Sequence, residues 1–280
     1  MTSDLKTLTA LCAVSLCLGT TTAWAGSVTQ PGETVGLAAG APLPEGLYFV
    51  NTADWGNRDT VDVSLGVTIP VLAWSTPWTF LGARVQFLGA APLVEEGIDH
   101  TNYLKGVFNP FLGGQLAWDL GNGFGFSYAL GAYFGVKSEV AFDSTSLNQR
   151  FGLSYTGNSW NLTANVIYGI QFDQLTTTVN PDFVNVDLTA TKKIGKWEIG
   201  PVAFGSSDVS DPFAGYQRQS QVAIGGLVGY DFGPLTLQTY VTHDVFERNY
   251  GGFDTRVWGR VIIPLWTPTP PPPPAPMYHK

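Results

Sequence analysis

WNLTANVIYGI, residues 160–170, separates into two interleaved sets of side chains. Trp160, Leu162, Ala164, Val166, Tyr168 and Ile170 are apolar or aromatic, whereas Asn161, Thr163, Asn165, Ile167 and Gly169 are mostly polar or small. Alternation with a period of two puts the sets on opposite faces of a β-strand, so the stretch predicts a strand lying between two different environments. Residues 182–191 repeat the pattern, with Val184, Val186, Leu188 and Ala190 opposed to Asn185, Asp187, Thr189 and Thr191. In residues 124–136 the contrast is one of size, and Phe124, Phe126, Tyr128 and Leu130 oppose Gly125, Ser127, Ala129 and Gly131.

Outward from these, about twelve runs have the length of a tilted membrane-crossing strand. They fall at 46–54, 60–74, 77–89, 107–120, 123–136, 147–157, 158–171, 182–194, 195–206, 217–232, 234–247 and 252–266. Every second connection is tight, at Ser75-Thr76, Gly121-Asn122, 157–158, 194–195 and Gly233, while those between are longer, at 55–59, 90–106, 137–146, 172–181, 207–216 and 248–251. Short turns on one side and long loops on the other mark transmembrane barrels, with the short side periplasmic. A soluble sandwich has no reason to sort its loops by length. The fold class read here is therefore all-β, an antiparallel transmembrane β-barrel of the bacterial outer membrane over residues 46–266, with both mature chain ends in the periplasm. Aromatic residues near the proposed strand ends, among them Trp74, Trp78, Trp118, Trp160, Trp197, Tyr230 and Trp266, suit the headgroup level.

Composition supports this. Charged residues make up 13% of the chain, roughly half the ordinary share, while apolar residues at 44% are not in excess and Gly numbers 33. Disorder across the body is excluded, and so is a helical membrane protein, because the long uncharged apolar run at 8–18 is too short to span a bilayer. Residues 1–25 carry Lys6, that apolar run, and the small-residue end Ala23-Trp24-Ala25 before Gly26. They read as a secretory signal peptide cleaved after Ala25. Cys12 and Cys17 lie within it, so the mature chain is expected to hold no disulfide, and Leu11 and Leu16 before them argue against lipid anchoring. The net charge of −8 is a poor match for nucleic acid, and no nucleic-acid partner is expected. Residues 26–45, rich in Gly, Pro and Ala, are expected to begin in the periplasm and fold inward as a partial plug. Residues 267–280 form a proline-rich tail that cannot join a ladder and is expected outside the sheet.

With PEGLYF at 44–49, WNLTANVIYG at 160–169 and above all the stretch 225–266 that ends in VIIPLW, the chain resembles the bacterial family labelled putative MetA-pathway of phenol degradation. The resemblance implies an outer-membrane barrel that admits small hydrophobic or aromatic compounds. It also implies contact with outer-membrane lipid and lipopolysaccharide, and the aromatic-ended strand closing at Trp266 resembles those recognised by the barrel-assembly machinery.

If the apolar sets face lipid, the others face a lumen. Parity then turns Trp78, Arg84, Arg150, Arg256, Trp258 and Arg260 inward, with Asp62, Asp119, Asp187, Glu198 and Asp244 as inward acids. An Arg at mid-depth facing hydrocarbon would cost about 2–4 kcal/mol. These charges are read either as fixing polar groups of a passing solute or as satisfying each other and stiffening the wall. No catalytic set, metal or cofactor is expected. His243 and Asp244 are adjacent and so on opposite faces, and residues 125–129 place a GFSYA sequence in mid-strand, where a nucleophile elbow has no sharp turn. Glu95, Glu96, Asp99 and His100 offer oxygen ligands but no specific spacing, and read as a solvated loop. The expected function is passive passage of small solutes, and the alternative is a closed structural or surface-interaction barrel.

Overall fold

A computed structural model describes residues 26–60, 63–98, 102–172 and 180–269. Residues 1–25, most of the proline-rich tail, Asp62, Asp99 and His100 lie outside the described residues. The strands are β1 Gly46–Arg58, β2 Val63–Phe80, β3 Ala83–Ala90, β4 Leu93–Ile98, β5 Asn102–Val107, β6 Phe111–Gly121 and β7 Phe124–Tyr133, followed by β8 Ser146–Tyr155, β9 Trp160–Gln171, β10 Phe183–Ile194, β11 Trp197–Asp208, β12 Ser220–Asp231, β13 Thr236–Arg248 and β14 Asp254–Trp266.

All pair antiparallel with their wall neighbours, and β1 pairs with both β14 and β2, which closes the sheet. The long β2 pairs through residues 63–68 with β4 and through residues 71–75 with β3. Thus β3 and β4 are two halves of one wall strand, and β5 and β6, which face them, are two halves of the next. The breaks fall at Pro92 and Pro110, where the missing N–H interrupts the ladder. The result is a closed twelve-stranded barrel.

Its faces are inverted relative to a soluble protein. In β9, Trp160, Leu162 and Val166 are 37–41% exposed, whereas Asn161, Thr163 and Asn165 are buried at 3–7%. The alternation arises because one face meets lipid and the other a filled interior. The short turns, between β2 and β3, β6 and β7, β8 and β9, β10 and β11, and β12 and β13, share one end of the barrel; the ends of β1 and β14 that carry Leu47 and Trp266 pair there too. An outward aromatic cluster sits at this end, with Trp74 edge-on to Trp78 at 5.3 Å and near Phe87 at 5.8 Å, and Trp197 against Tyr230 at 4.8 Å.

Two stretches depart from the expected strands. The turn expected at Ser75-Thr76 lies instead at Leu81-Gly82, both with positive φ (50° and 78°), which suits a two-residue primed hairpin turn. Leucine gives no turn signal, and a register shift between Ser75 and Thr79 hides the continuation of β2. The loop expected at 90–106 contains the β4–β5 hairpin. Glu96 is buried while its neighbour Glu95 accepts the Tyr103 hydroxyl hydrogen at 2.7 Å, so adjacent strand residues send these carboxylates to opposite faces. They cannot share a cation.

Residues 26–45 occupy the interior. The inward face of β10 follows them step by step: Asn185 donates to the Thr29 carbonyl at 3.0 Å, Asp187 accepts from Gly32 and Thr34, and Thr189 accepts the Gly36 N–H at 2.8 Å. Gly26 donates to Gln219 at 3.1 Å in the long connection between β11 and β12, and the Leu43 carbonyl accepts from Ser75 near the short-turn end. The segment therefore crosses the lumen from end to end. Gly26 stands at the long-loop mouth, not on the short-turn side expected for the mature N-terminus. Chain length permits this: about twenty extended residues reach about 65 Å, and a tilted strand of about twelve residues stands only about 30 Å tall.

Candidate functional site: the lumen and its inner segment

The inward charges grip the segment or one another. Asp187, 2% exposed in mid β10, accepts the Gly32 N–H at 2.9 Å through one oxygen and the Thr34 N–H at 2.9 Å and hydroxyl at 2.6 Å through the other. A carboxylate usually buried with a cation is satisfied here by three neutral donors. Arg260 donates to the Glu33 carbonyl at 2.6 Å, the Val35 carbonyl, Thr52 at 2.8 Å, Gln238 at 3.0 Å and the Tyr240 hydroxyl at 3.2 Å. Tyr240 in turn donates to the Gly32 carbonyl at 3.0 Å. Trp258 stacks on Tyr240 at 5.0 Å with its ring nearly parallel, meets Phe204 edge-on at 6.0 Å, and donates its indole N–H to Thr242 at 3.0 Å.

Arg150 pairs with Glu33 at 2.8 Å, donates to Asn148 and Tyr133, and lies 4.8 Å from the centre of the Phe111 ring. Nearer the long-loop mouth, Arg256 donates twice to Asp254 and once to Asp54, and Arg58 lies 3.7 Å from Asp244 and 4.0 Å from Asp254. Asp244 accepts the Asp254 N–H at 2.9 Å. His243 is on the outer face with Thr255, opposite to Asp244.

The structure thus brings Arg150, Arg256, Arg260, Asp187, Asp244 and Trp258 into the interior. Arg84 is at the short-turn end, donating to the Thr76 carbonyl at 2.8 Å. Trp78 and Asp119, expected to line the lumen, are both exposed. Trp78 is 55% exposed on the outer face, because the shifted turn and the irregularity after Ser75 reverse its parity. Asp119 is exposed beyond the filled interior, capping the Gly121 N–H at 2.9 Å. Asp62 is outside the described residues. Sequence parity missed Asp54, Arg58, Asp254 and Glu33. Asp254 was available from the parity that selected Arg256 two residues later, whereas Glu33 belongs to an irregular segment with no period to read.

The wall also fits the segment through absence of side chains. A Cβ on Gly125 would stand 2.8 Å from the Gly40 carbonyl oxygen and Ala41 Cα, and one on Gly152 2.9 Å from the Ala39 carbonyl carbon. Ser127 beside them donates to the Ala39 carbonyl at 2.8 Å.

Space remains on the side of β1, β2, β3 and β6. A 360 Å³ cavity there is lined by Leu37, Leu43, Ile69, Val71 and Leu88 together with the paired amides Gln86 and Gln115. A second, of 70 Å³, lies nearer the long-loop mouth among Leu65, Val67, Val94 and Phe108, with Arg58, Glu96 and Arg256 at its edge. Glu33 and Ile69 line both and so stand between them. An apolar cavity of about 150 Å³ holds a benzene ring, so the larger space is sufficient for a single-ring compound.

A family model described as "Putative MetA-pathway of phenol degradation" matches residues 29–261. No curated protein sequence matches the chain. Among solved structures the chain is similar to an outer membrane channel from Pseudomonas putida F1, with 12% identity over 84% of this chain and 99% of that one, and a TM-score of 0.65. It also aligns with the translocator domain of autotransporter NalP from Neisseria meningitidis (11% identity, 79% and 89% covered, TM-score 0.48). A Pseudomonas aeruginosa FadL homologue aligns as well (7% identity, 84% and 98% covered, TM-score 0.48). At such identities the first likeness is one of fold.

Proposed function

The chain belongs to the family described as putative MetA-pathway of phenol degradation, and from that premise we propose that it is a passive outer-membrane channel for small hydrophobic or aromatic compounds. The observation that carries this reading is the 360 Å³ cavity beside the inner segment, whose apolar lining is broken by neutral amides and, at its edge, by the Arg150–Glu33 ion pair. Such a lining accommodates an uncharged ring with one polar substituent. It disfavours a sugar, whose many hydroxyls would lack partners. Charges already held by fixed partners contribute little to solute binding; here Arg256, Arg260 and Asp187 order the lumen and Trp258 packs it. Export with removal of residues 1–25, lipid and lipopolysaccharide around the outward aromatics, and recognition of the closing strand at Trp266 by the barrel-assembly machinery belong to the same proposal.

Purified barrel in liposomes is the test, with influx compared across phenols, fatty acids and sugars. Phenols are expected to enter faster than sugars of similar size, and rates equal to those of empty liposomes would sink the channel reading. The filled interior favours a second reading, a closed barrel acting through its surface. A variant lacking residues 27–44 separates the two: phenol influx by the full chain supports the channel, whereas influx by the deletion variant alone supports the closed barrel.

A further inference from the structure

Asp208, the last residue of β11, is 3% exposed, and its two carboxylate oxygens are treated very differently. Oδ2 accepts the Tyr216 hydroxyl hydrogen at 2.6 Å and the Gln219 N–H at 2.8 Å. Oδ1 is buried and has no hydrogen-bond partner among the described residues. The nearby Arg218 is engaged by Asp211 at 2.6 Å, and Arg58 by Asp244 and Asp254. A buried carboxylate oxygen without a donor calls for one.

Gly26 lies directly against it. A Cβ on Gly26 would stand 2.8 Å from the Asp208 carboxyl carbon and 2.8 Å from the Pro181 ring, so the chain can approach the carboxylate this closely only with glycine. The Gly26 nitrogen donates to the Gln219 side-chain oxygen at 3.1 Å, and as a peptide nitrogen it has no second hydrogen. Cleavage after Ala25 changes that. Hydrolysis of the Ala25–Gly26 bond adds water across it, leaving a carboxylate on the released segment and an α-ammonium with three N–H donors on Gly26.

We propose that Asp208 and Gln219 form a built site for the α-ammonium of Gly26, so that export processing itself supplies the missing partner of Asp208 and anchors the inner segment at the long-loop mouth. One hydrogen keeps the Gln219 bond and another is available to Oδ1, giving a charge-assisted pair. The segment is then fixed at both ends, by this ion pair and by its entry into β1 at Gly46. The inference rests on cleavage after Ala25 and is independent of what passes through the lumen.

The test uses the full precursor, exported and purified from outer membranes. Intact mass should show a mature chain beginning at Gly26. An amine-reactive probe at neutral pH should label the Gly26 amine of folded wild type at least about tenfold more slowly than that of folded Asp208→Asn, because the ion pair holds the amine protonated. A chain beginning at another residue, or equal labelling rates in the two proteins, would overturn the proposal. If Asp208→Asn does not fold, titration of the wild-type amine decides: an apparent pKa clearly above the usual range of about 7.7–8.0 supports the site, and one within or below it overturns it.

Discussion

Asp187 illustrates how the wall holds the inner segment with single residues. Its two oxygens take three donors from Gly32 and Thr34, and hydrogen bonds to a charged group are each worth about 1.5–3 kcal/mol. Asp187→Asn keeps the size but removes the charge and sets an NH2 against the donors on one side. The segment should be held about 2 kcal/mol more weakly, a roughly 30-fold rise in its unseated fraction, measurable as faster proteolysis within residues 26–45. Glu33 ties the same segment to Arg150 of β8 at 2.8 Å, and Arg150→Gln should likewise raise proteolysis within residues 26–45 by leaving that carboxylate without its cation. These residues differ in how much the sequence shows. Asp187 is legible because β10 alternates, but that its partners are backbone amides and not a cation is invisible, since those amides belong to a stretch without periodicity.

At the scale of elements, β9, β10 and β7 are legible for one physical reason: each separates lipid from a packed interior, and two media impose two alternating sets. Legibility fails where that alternation is broken or unmarked. The irregularity in β2 turned Trp78 outward, and the β4–β5 hairpin, carrying Glu95 and Glu96 side by side, resembles a loop in composition although it pairs as strands. The small face of β7, Gly125, Ser127, Ala129 and Gly131, is legible as a set, but what lies against it is not. Gly125 and Gly152 receive the backbone of residues 39–41, so Gly125→Val should displace that part of the segment while leaving Asp187 and Arg260 with their partners. The expected outcome is selective: proteolytic cleavage appears near residues 38–42, single-channel conductance rises, and residues 27–36 stay protected. Unchanged conductance and cleavage would contradict the close approach.

At the scale of the whole molecule, the interior is a second body held within the wall, and its removal is a test of how much the wall needs it. Without residues 27–44 the inward charges would face water in the lumen, where Arg256 and Asp254 keep each other and Asp187 is hydrated. The barrel should still form, unfold in detergent at a lower temperature, and conduct more than the full chain. Loss of folding altogether would mean that the wall depends on its contents. The seam between β1 and β14 adds a constraint of sequence in time. Leu47 and Trp266 meet from the two ends of the barrel sequence, so this pairing closes the longest loop between neighbouring strands. Passing a strand-long piece of chain through an already sealed ring would require it to slide beyond Phe204, Trp258 and Tyr240, which close on Gly32. Laying residues 26–45 along β10 therefore precedes sealing, and the barrel is wrapped around its contents instead of being loaded afterwards.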